Sequence, residues 1–483
     1  MRTLRLVVLL LFMTFTQASV RAQSDAQPPS GGNQQSSPAA TPSSGNGTPS
    51  IAENPPITGL DMPGLETNVA RRSFLIPGAQ VSEALDSNIG SEPGANAIHS
   101  ETRVLGSLAL QRLWSKYDLL LDYVGGGAFY HAAGFGNQQM HSLNVENKFL
   151  WRKGEFAIRD AFTYLPEGTF GFGAFGGGGA YGGYQSGLSG FGFGLPAGGF
   201  GNSLNFFGSG QFGSLGLEPL ISNVVVADIA ESLSPRSSVT LAGAYSVQHY
   251  TNNPLNLIDS RQTSAQGGYN YALNARDTLA VLYGFQEFHY PSFVGAGSFK
   301  TNLINLLYGH RVSGRMDFVI GAGPQITQTR DLVFGSRTSV SGSGRVSLRY
   351  RYPKTAIGVS YERYNTSGSG LFAGASSDVV QLSISRPVGR KWDWVSDFGY
   401  SHNKQLQQSV AGINAQSFSY WYAGFALRRQ LGRQFGAFIS YQFNDEGFGN
   451  SFCGVGVPAC DRVSHRHVVA VGLDWHPRPI RLD

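Results

Sequence analysis

Arg-Thr-Ser-Val-Ser-Gly-Ser-Gly-Arg-Val-Ser-Leu-Arg-Tyr-Arg-Tyr, residues 337–352, decides the fold class. Every odd position is Arg or Ser: Arg337, Ser339, Ser341, Ser343, Arg345, Ser347, Arg349 and Arg351. The even positions close with Val346, Leu348, Tyr350 and Tyr352. Side chains on a strand alternate between its two faces, so the stretch predicts one strand, cationic and hydroxylated on one side and apolar and aromatic on the other. Sixteen residues at ~3.3 Å each span on the order of 50 Å, whereas strands of soluble proteins usually run to ~5–6 residues. A strand this long, wet on one face and greasy on the other, fits the wall of a water-filled barrel in a membrane.

Composition agrees. Gly is 64 of 483 residues, aromatics reach 12% and charged residues only 14%, against about 25% in an average soluble domain. A mean hydropathy of −0.13 argues against helical spans but not against a barrel, whose two faces average toward zero. No run of ~18 apolar residues occurs. Arg2 and Arg5, the apolar run 6–15 and Val20-Arg21-Ala22 read as a secretory signal over 1–22. The net charge of +5 drops close to neutral once Arg2, Arg5 and Arg21 leave with the signal, so no nucleic-acid partner is expected. Residues 23–70, rich in Gln, Ser, Pro and Gly, bury too little surface to offset their ordering entropy and read as a disordered periplasmic leader.

From about Ser73 one plan repeats through 71–483: an alternating segment, a short turn, another segment, a longer loop. The short turns include Trp114-Ser115-Lys116, Asn274-Ala275-Arg276-Asp277 and Leu431-Gly432-Arg433. Eighteen segments follow, from 74–87 to 464–476, with sixteen as the alternative count. The first is the weakest because it contains Pro77, and even parity requires it. Expected lipid-facing stripes are Leu279, Val281, Tyr283, Phe285 and Val469, Val471, Leu473, Trp475. Tyr350, Tyr352, Trp392, Trp394 and Tyr420 to Tyr422 are expected in interfacial girdles. Asp160 falls on a lipid-facing stripe with Phe156, Ile158, Phe162 and Tyr164, where a bulge would restore the pattern.

On this architecture the chain resembles the bacterial outer-membrane β-barrels, the porin-like ones among them, over about residues 73–483. No single motif carries the likeness. The resemblance implies an all-β, antiparallel up-and-down transmembrane barrel in the outer membrane of a Gram-negative cell. It also implies lipid and lipopolysaccharide around the barrel, insertion by the barrel-assembly machinery, and transport of small hydrophilic solutes. Homo-oligomerisation stays open. The family commonly closes on a strand with a terminal aromatic. Here His467 to Trp475 has that pattern, but His476 to Asp483 follow.

The expected pore-lining charges are Arg337, Arg345, Arg349 and Arg351 on strand twelve, with Glu362 beside them. Asp118 and Asp122 lie on strand three, with Glu146, Lys148 and Arg159 near them. Strands three and twelve are opposite in a ring of eighteen, which would set an acidic wall against a basic one. The loop 166–217 is dominated by Gly, Phe and Tyr, and as the third external loop it is a candidate constriction or plug. Its Gly171-Phe-Gly-Ala-Phe-Gly176 matches a dinucleotide fingerprint by letter only, since no βαβ unit surrounds it. Cys453 and Cys460, with six residues between them, read as a loop-closing disulfide in an oxidising compartment. His465 and His467 are too few for a metal site, and no cofactor is expected. Ser401-His402-Asn403 resembles a catalytic trio by letter, but neighbouring strand residues face opposite ways, so an enzyme is not expected. The functional expectation is a channel. A non-conducting adhesin or structural barrel is the alternative, and an outer-membrane hydrolase ranks below both.

Overall fold

The structure is a computed structural model that describes residues 56–60, 73–90, 97–131, 136–165, 219–251, 257–291, 296–331, 335–352, 354–406, 417–448 and 463–482. The signal, the leader up to residue 55, the Gly- and Phe-rich loop 166–217 and both cysteines lie outside them. Eighteen long antiparallel strands form the wall: β1 Phe74–Asp86, β2 His99–Leu113, β3 Tyr117–Tyr130, β4 Gln138–Trp151, β5 Gly154–Leu165 and β6 Leu220–Ser234. The middle third is β7 Ser237–Tyr250, β8 Ser260–Ala272, β9 Asp277–His289, β10 Ala296–Ser313, β11 Met316–Asp331 and β12 Gly335–Arg351. The last is β13 Ala356–Thr366, β14 Ala375–Val388, β15 Trp392–Gln405, β16 Ser417–Gln430, β17 Phe435–Phe448 and β18 Val463–Trp475, with a two-residue β19, Ile480–Arg481. Each strand pairs with the next, and β18 pairs with β1 from Ala79↔Trp475 to Asp86↔Val468, so the sheet closes. Closure satisfies every ladder edge it joins, which is the condition for spanning hydrocarbon with strands. Among the described residues no helix is long and apolar enough to cross a membrane. Eighteen strands ~4.8 Å apart and tilted ~40° close at a radius of about 18 Å.

Pro77 is accommodated at the seam. It keeps its place opposite Leu108 of β2. On its other side β18 ends opposite Ala79 and β19 begins opposite Leu75, so the missing N–H falls where the ladder is interrupted. The C-terminal overhang is part of the wall, because β19 continues the closing strand along β1.

The two faces separate as the alternation predicts. On β9, Leu279, Val281 and Tyr283 point out and are exposed, while Ala280, Leu282, Gln286 and Phe288 are buried inside. On β18, Val469, Val471, Leu473 and Trp475 are outside and Arg466, Val468, Ala470 and Asp474 inside. Trp392 and Trp394 are exposed on the outer face. Tyr420 and Tyr422 correct the girdle expectation: both are buried on the inner face, in a cluster with Phe372 and Phe418. Asp160 does point outward, and no bulge removes it, because its register is continuous with Val145 and Val225. Its carboxylate instead accepts a hydrogen bond of 2.7 Å from the amide of Asn223 on β6.

One part of the wall divides. β12 pairs with β13 only from Gly344↔Arg363 to Arg351↔Ala356, while Gly335 to Ser343 pair with β11 alone. Residues 335–340 are exposed on both faces. Tyr364, Asn365 and Thr366 of β13 are instead buried on both faces. The Asn365 amide donates to Thr301 Oγ1 of β10 (3.0 Å) and Thr327 Oγ1 of β11 (2.8 Å). The external end of β13, still paired with β14, has left β12 and lies inside the lumen.

Candidate functional site

The site is the lumen, which two segments narrow. The first is the tip of the β13–β14 hairpin, residues 367–374. It reaches across part of the external mouth to the outer ends of β7–β10. Ile258 N donates to Gly370 O at 2.8 Å, Tyr250 OH to Ser369 O and Tyr290 OH to Ser367 O, each at 3.2 Å. Phe372 packs with Tyr364, Phe418, Tyr420 and Tyr422 on one side, and Ala373 packs with Ile258, Phe288 and Phe299 on the other. The tip therefore ties β7–β10 to β13–β16. Gly370 has φ +77°, and a Cβ there would overlap the Tyr250 hydroxyl, so the close crossing requires glycine.

The second segment comes from the N-terminal leader. Residues 56–60, expected within a disordered stretch, lie ordered on the inner wall of the periplasmic half. A hydrogen bond from Gly59 N to Pro56 O (2.9 Å) closes a turn that presents Ile57 and Thr58 to the wall. Thr58 is buried and fully engaged. Its N–H donates to Asn270 Oδ1 (3.1 Å), and its hydroxyl accepts from Asn270 Nδ2 (2.6 Å) and lies 2.7 Å from Thr240 Oγ1. Its carbonyl accepts from Gln266 Nε2 at 2.9 Å. Ile57 packs against Ala280, Leu282 and Leu307, and Leu60 against Val226 and Ala244. Arg345 reaches from β12 to Ile57 O at 3.4 Å. Four to five such hydrogen bonds contribute about 1 kcal/mol each, and the two aliphatic contacts add roughly 1.5–3 kcal/mol apiece when fully buried, enough to order a short peptide. On the periplasmic side of this segment lies a recess of about 490 Å³, lined by Arg236, Arg276, Arg311 and Arg349 among others.

The described members of the predicted charge set keep the inner register and are interleaved with partners of opposite sign. Arg159 bonds Glu146 at 2.8 Å and also Asp228, and Lys148 lies 3.2 Å from Glu146. Asp118 sits opposite Lys148, and Asp122 opposite Asn144. Across the lumen Arg349 makes a two-pronged contact to Asp317 (2.9 and 2.8 Å), and Arg345 stands opposite Glu362. Each wall therefore carries both signs, and local pairing weakens the field between the walls without balancing either one. Arg337 is exposed near the external end, opposite Thr329. The side chain of Arg351 lies outside the described residues. Between the charged sectors, the inner register of β7, β8 and β9 carries no charged side chain, only hydroxyl, amide, aliphatic, aromatic and glycine residues such as Ser246, Gln248, Gln262, Ser264 and Gln286.

Reading strands one at a time missed the partners Asp228 and Asp317, the hairpin tip and the Thr58 dock. The ion-pair partners become visible only when registers are matched between strands. The tip had a signal in Leu371-Phe372, an apolar pair inside a Ser- and Gly-rich connection. Ser401, His402 and Asn403 do not assemble a trio. Ser401 and Asn403 face inward, 3.2 Å apart, while His402 bonds Ser419 on the other face.

A closed eighteen-stranded antiparallel wall, apolar outside and polar within, defines a β-barrel of the outer-membrane, porin-like type, and it places the chain in the cell outer membrane. No protein-family model and no curated protein matches the sequence. Among solved structures the chain is similar to Pseudomonas aeruginosa OccK2 (OpdF), at 10% identity over 84% of this chain and 98% of that one, with a TM-score of 0.40. It is also similar to the outer membrane protein opdK of the same organism (11% identity, 84% of this chain and 98% of that one, TM-score 0.37). A third is the FrpB iron transporter of Neisseria meningitidis (7%, 83% and 81%, TM-score 0.39).

Proposed function

We propose that the chain is a channel for passive or weakly selective diffusion of small hydrophilic solutes across the outer membrane. The observation that supports this most is the charge-free, hydroxyl- and amide-lined inner face of β7–β9. A barrel of about 18 Å radius with such a lining holds water, because buried hydroxyls and amides need partners that an apolar fill could not supply. Local ion pairing on both walls moderates selectivity by charge. The hairpin tip restricts the external mouth, so passage runs beside residues 367–374 and over the segment 56–60.

The experiment is solute entry into liposomes carrying the folded protein, followed by osmotic swelling. Neutral and singly charged solutes of matched size should enter at rates within a fewfold of each other. A second reading, a non-conducting structural barrel, draws on the same hairpin tip, which ties β9 and β10 to β16. Intact barrels that admit none of these solutes would favour it.

A further inference from the structure

The contact between the leader and the wall has the form of a ligand in a fitted site. Gly268 and Gly309 open the wall where the segment sits: a Cβ at Gly268 would overlap Thr58, and one at Gly309 would come within 3.1 Å of Ile57. Almost no space remains between residues 56–60 and the wall, where the cavity measures about 10 Å³. The wall presents two primary amides and a hydroxyl, from Asn270, Gln266 and Thr240. They hold a hydroxyl, a carbonyl and an N–H of the chain itself. These three groups are neutral and directional and both donate and accept; Arg345 at Ile57 O and the carboxylates of Glu155 and Asp228 border them. That is the chemistry that recognises a compound bearing several hydroxyls and no charge.

We propose that residues 56–60 are a tethered occupant of the lumen's solute site, and that neutral polyhydroxylated solutes bind there in their place. The inference rests on the channel reading and names its solute class. The occupant is built for exchange. It is held mainly by hydrogen bonds to uncharged side chains, with one from Arg345, and its covalent attachment keeps it near the site at high effective concentration. A solute that matches the hydroxyl and carbonyl of Thr58 competes for Asn270, Gln266 and Thr240. An anionic analogue would have to desolvate against the uncharged inner face of β7–β9 and beside Glu155 and Asp228, which line the same gap. Binding of solute and release of the segment are therefore one equilibrium, and the segment returns when the solute leaves.

The test is hydrogen exchange at the Thr58 and Gly59 amides of the full folded chain, with sucrose as the neutral probe and gluconate as the charged one. Sucrose at tens of millimolar should speed exchange of both amides at least tenfold, and gluconate should change it less than twofold. In Gly268→Val the added side chain should expel the segment, giving fast exchange without sugar while the barrel stays heat-modifiable. Asn270→Ala with Gln266→Ala should remove the response to sucrose. Unchanged protection in wild type at 100 mM sucrose would overturn the proposal, as would an equal response to gluconate. Sucrose entry into liposomes separates the two readings. Entry through Gly268→Val barrels without sucrose-induced exchange in wild type would sink this inference and leave the channel standing. Induced exchange without entry through any barrel would keep the site and sink the channel.

Discussion

Phe372→Ala should loosen the hairpin tip without opening the barrel. Phe372 is 1% exposed and sits among Tyr364, Phe418, Tyr420 and Tyr422, with its ring centroid 5.5 Å from that of Phe418. Truncating such a residue costs about 3–5 kcal/mol, aromatic contact included. The three hydrogen bonds that hold Ser367, Ser369 and Gly370 to the outer ends of β7–β10 remain and contribute about 1 kcal/mol each. The tip should therefore detach at a small free-energy cost while the ladders of β13 and β14 persist. Amides of Leu371, Phe372 and Gly374, which bond within the tip to Gly368 O and Ser367 O, report the change. A loss of ~3 kcal/mol corresponds to about a hundredfold faster exchange at these amides. Unit conductance should rise in parallel, because the tip no longer restricts the external mouth. Unchanged protection in a heat-modifiable Phe372→Ala barrel would refute the claim that this packing holds the tip across the lumen.

Other consequences follow from the same contacts. Arg349→Gln combined with Asp317→Asn removes a pair that is neutral overall, so reversal potentials in salt gradients should stay within a few millivolts of wild type; a pronounced shift would restore the opposed-wall field. Arg159→Ala removes the guanidinium that Glu146 and the buried Asp228 share and should cost about 3–5 kcal/mol, read as a lower temperature for loss of the heat-modifiable band. Exchange by mass spectrometry should find about half the amides of 336–343 unprotected, against full protection in 344–350, because only β11 pairs with the upper part of β12. Asp160→Leu should be tolerated on the lipid face and Asn223→Leu should not, since the second change strands a carboxylate there; equal loss of folded barrel in both would argue that Asp160 has a further role.

How far the sequence carried the fold depends on period and turn chemistry. Period two over ten or more residues, broken by Gly, Pro, Asn or Ser, located all eighteen strands within a few residues. The stretch Arg337 to Tyr352 fell within β12 up to Arg351, with its odd positions inward. Alternation fixes which face a residue takes. It does not say what stands opposite, because that depends on register between strands, and so the partners of Arg159 and Arg349 were invisible. It also assumes that a strand stays in the wall. Tyr364 to Thr366 continue the pattern of β13 yet lie inside the lumen, because the apolar Leu371-Phe372 tip buries more surface there than it could at the rim. Composition had the opposite blind spot at Pro56 to Leu60. A Pro-, Ser- and Gly-rich leader reads as disordered, and five residues with one Ile, one Thr and one Leu find order only because the wall has a notch for them. The described charges of the expected set keep the inner register, and the uncharged inner face of β7–β9 lies between them.

Single-channel conductance in planar bilayers decides whether the barrel is an open pore, comparing the full chain with a chain lacking residues 56–60 and carrying Phe372→Ala. Discrete openings are expected in the full chain, with a severalfold larger unit conductance when both obstructions are removed. An intact, heat-modifiable barrel that conducts in neither form would contradict the channel reading.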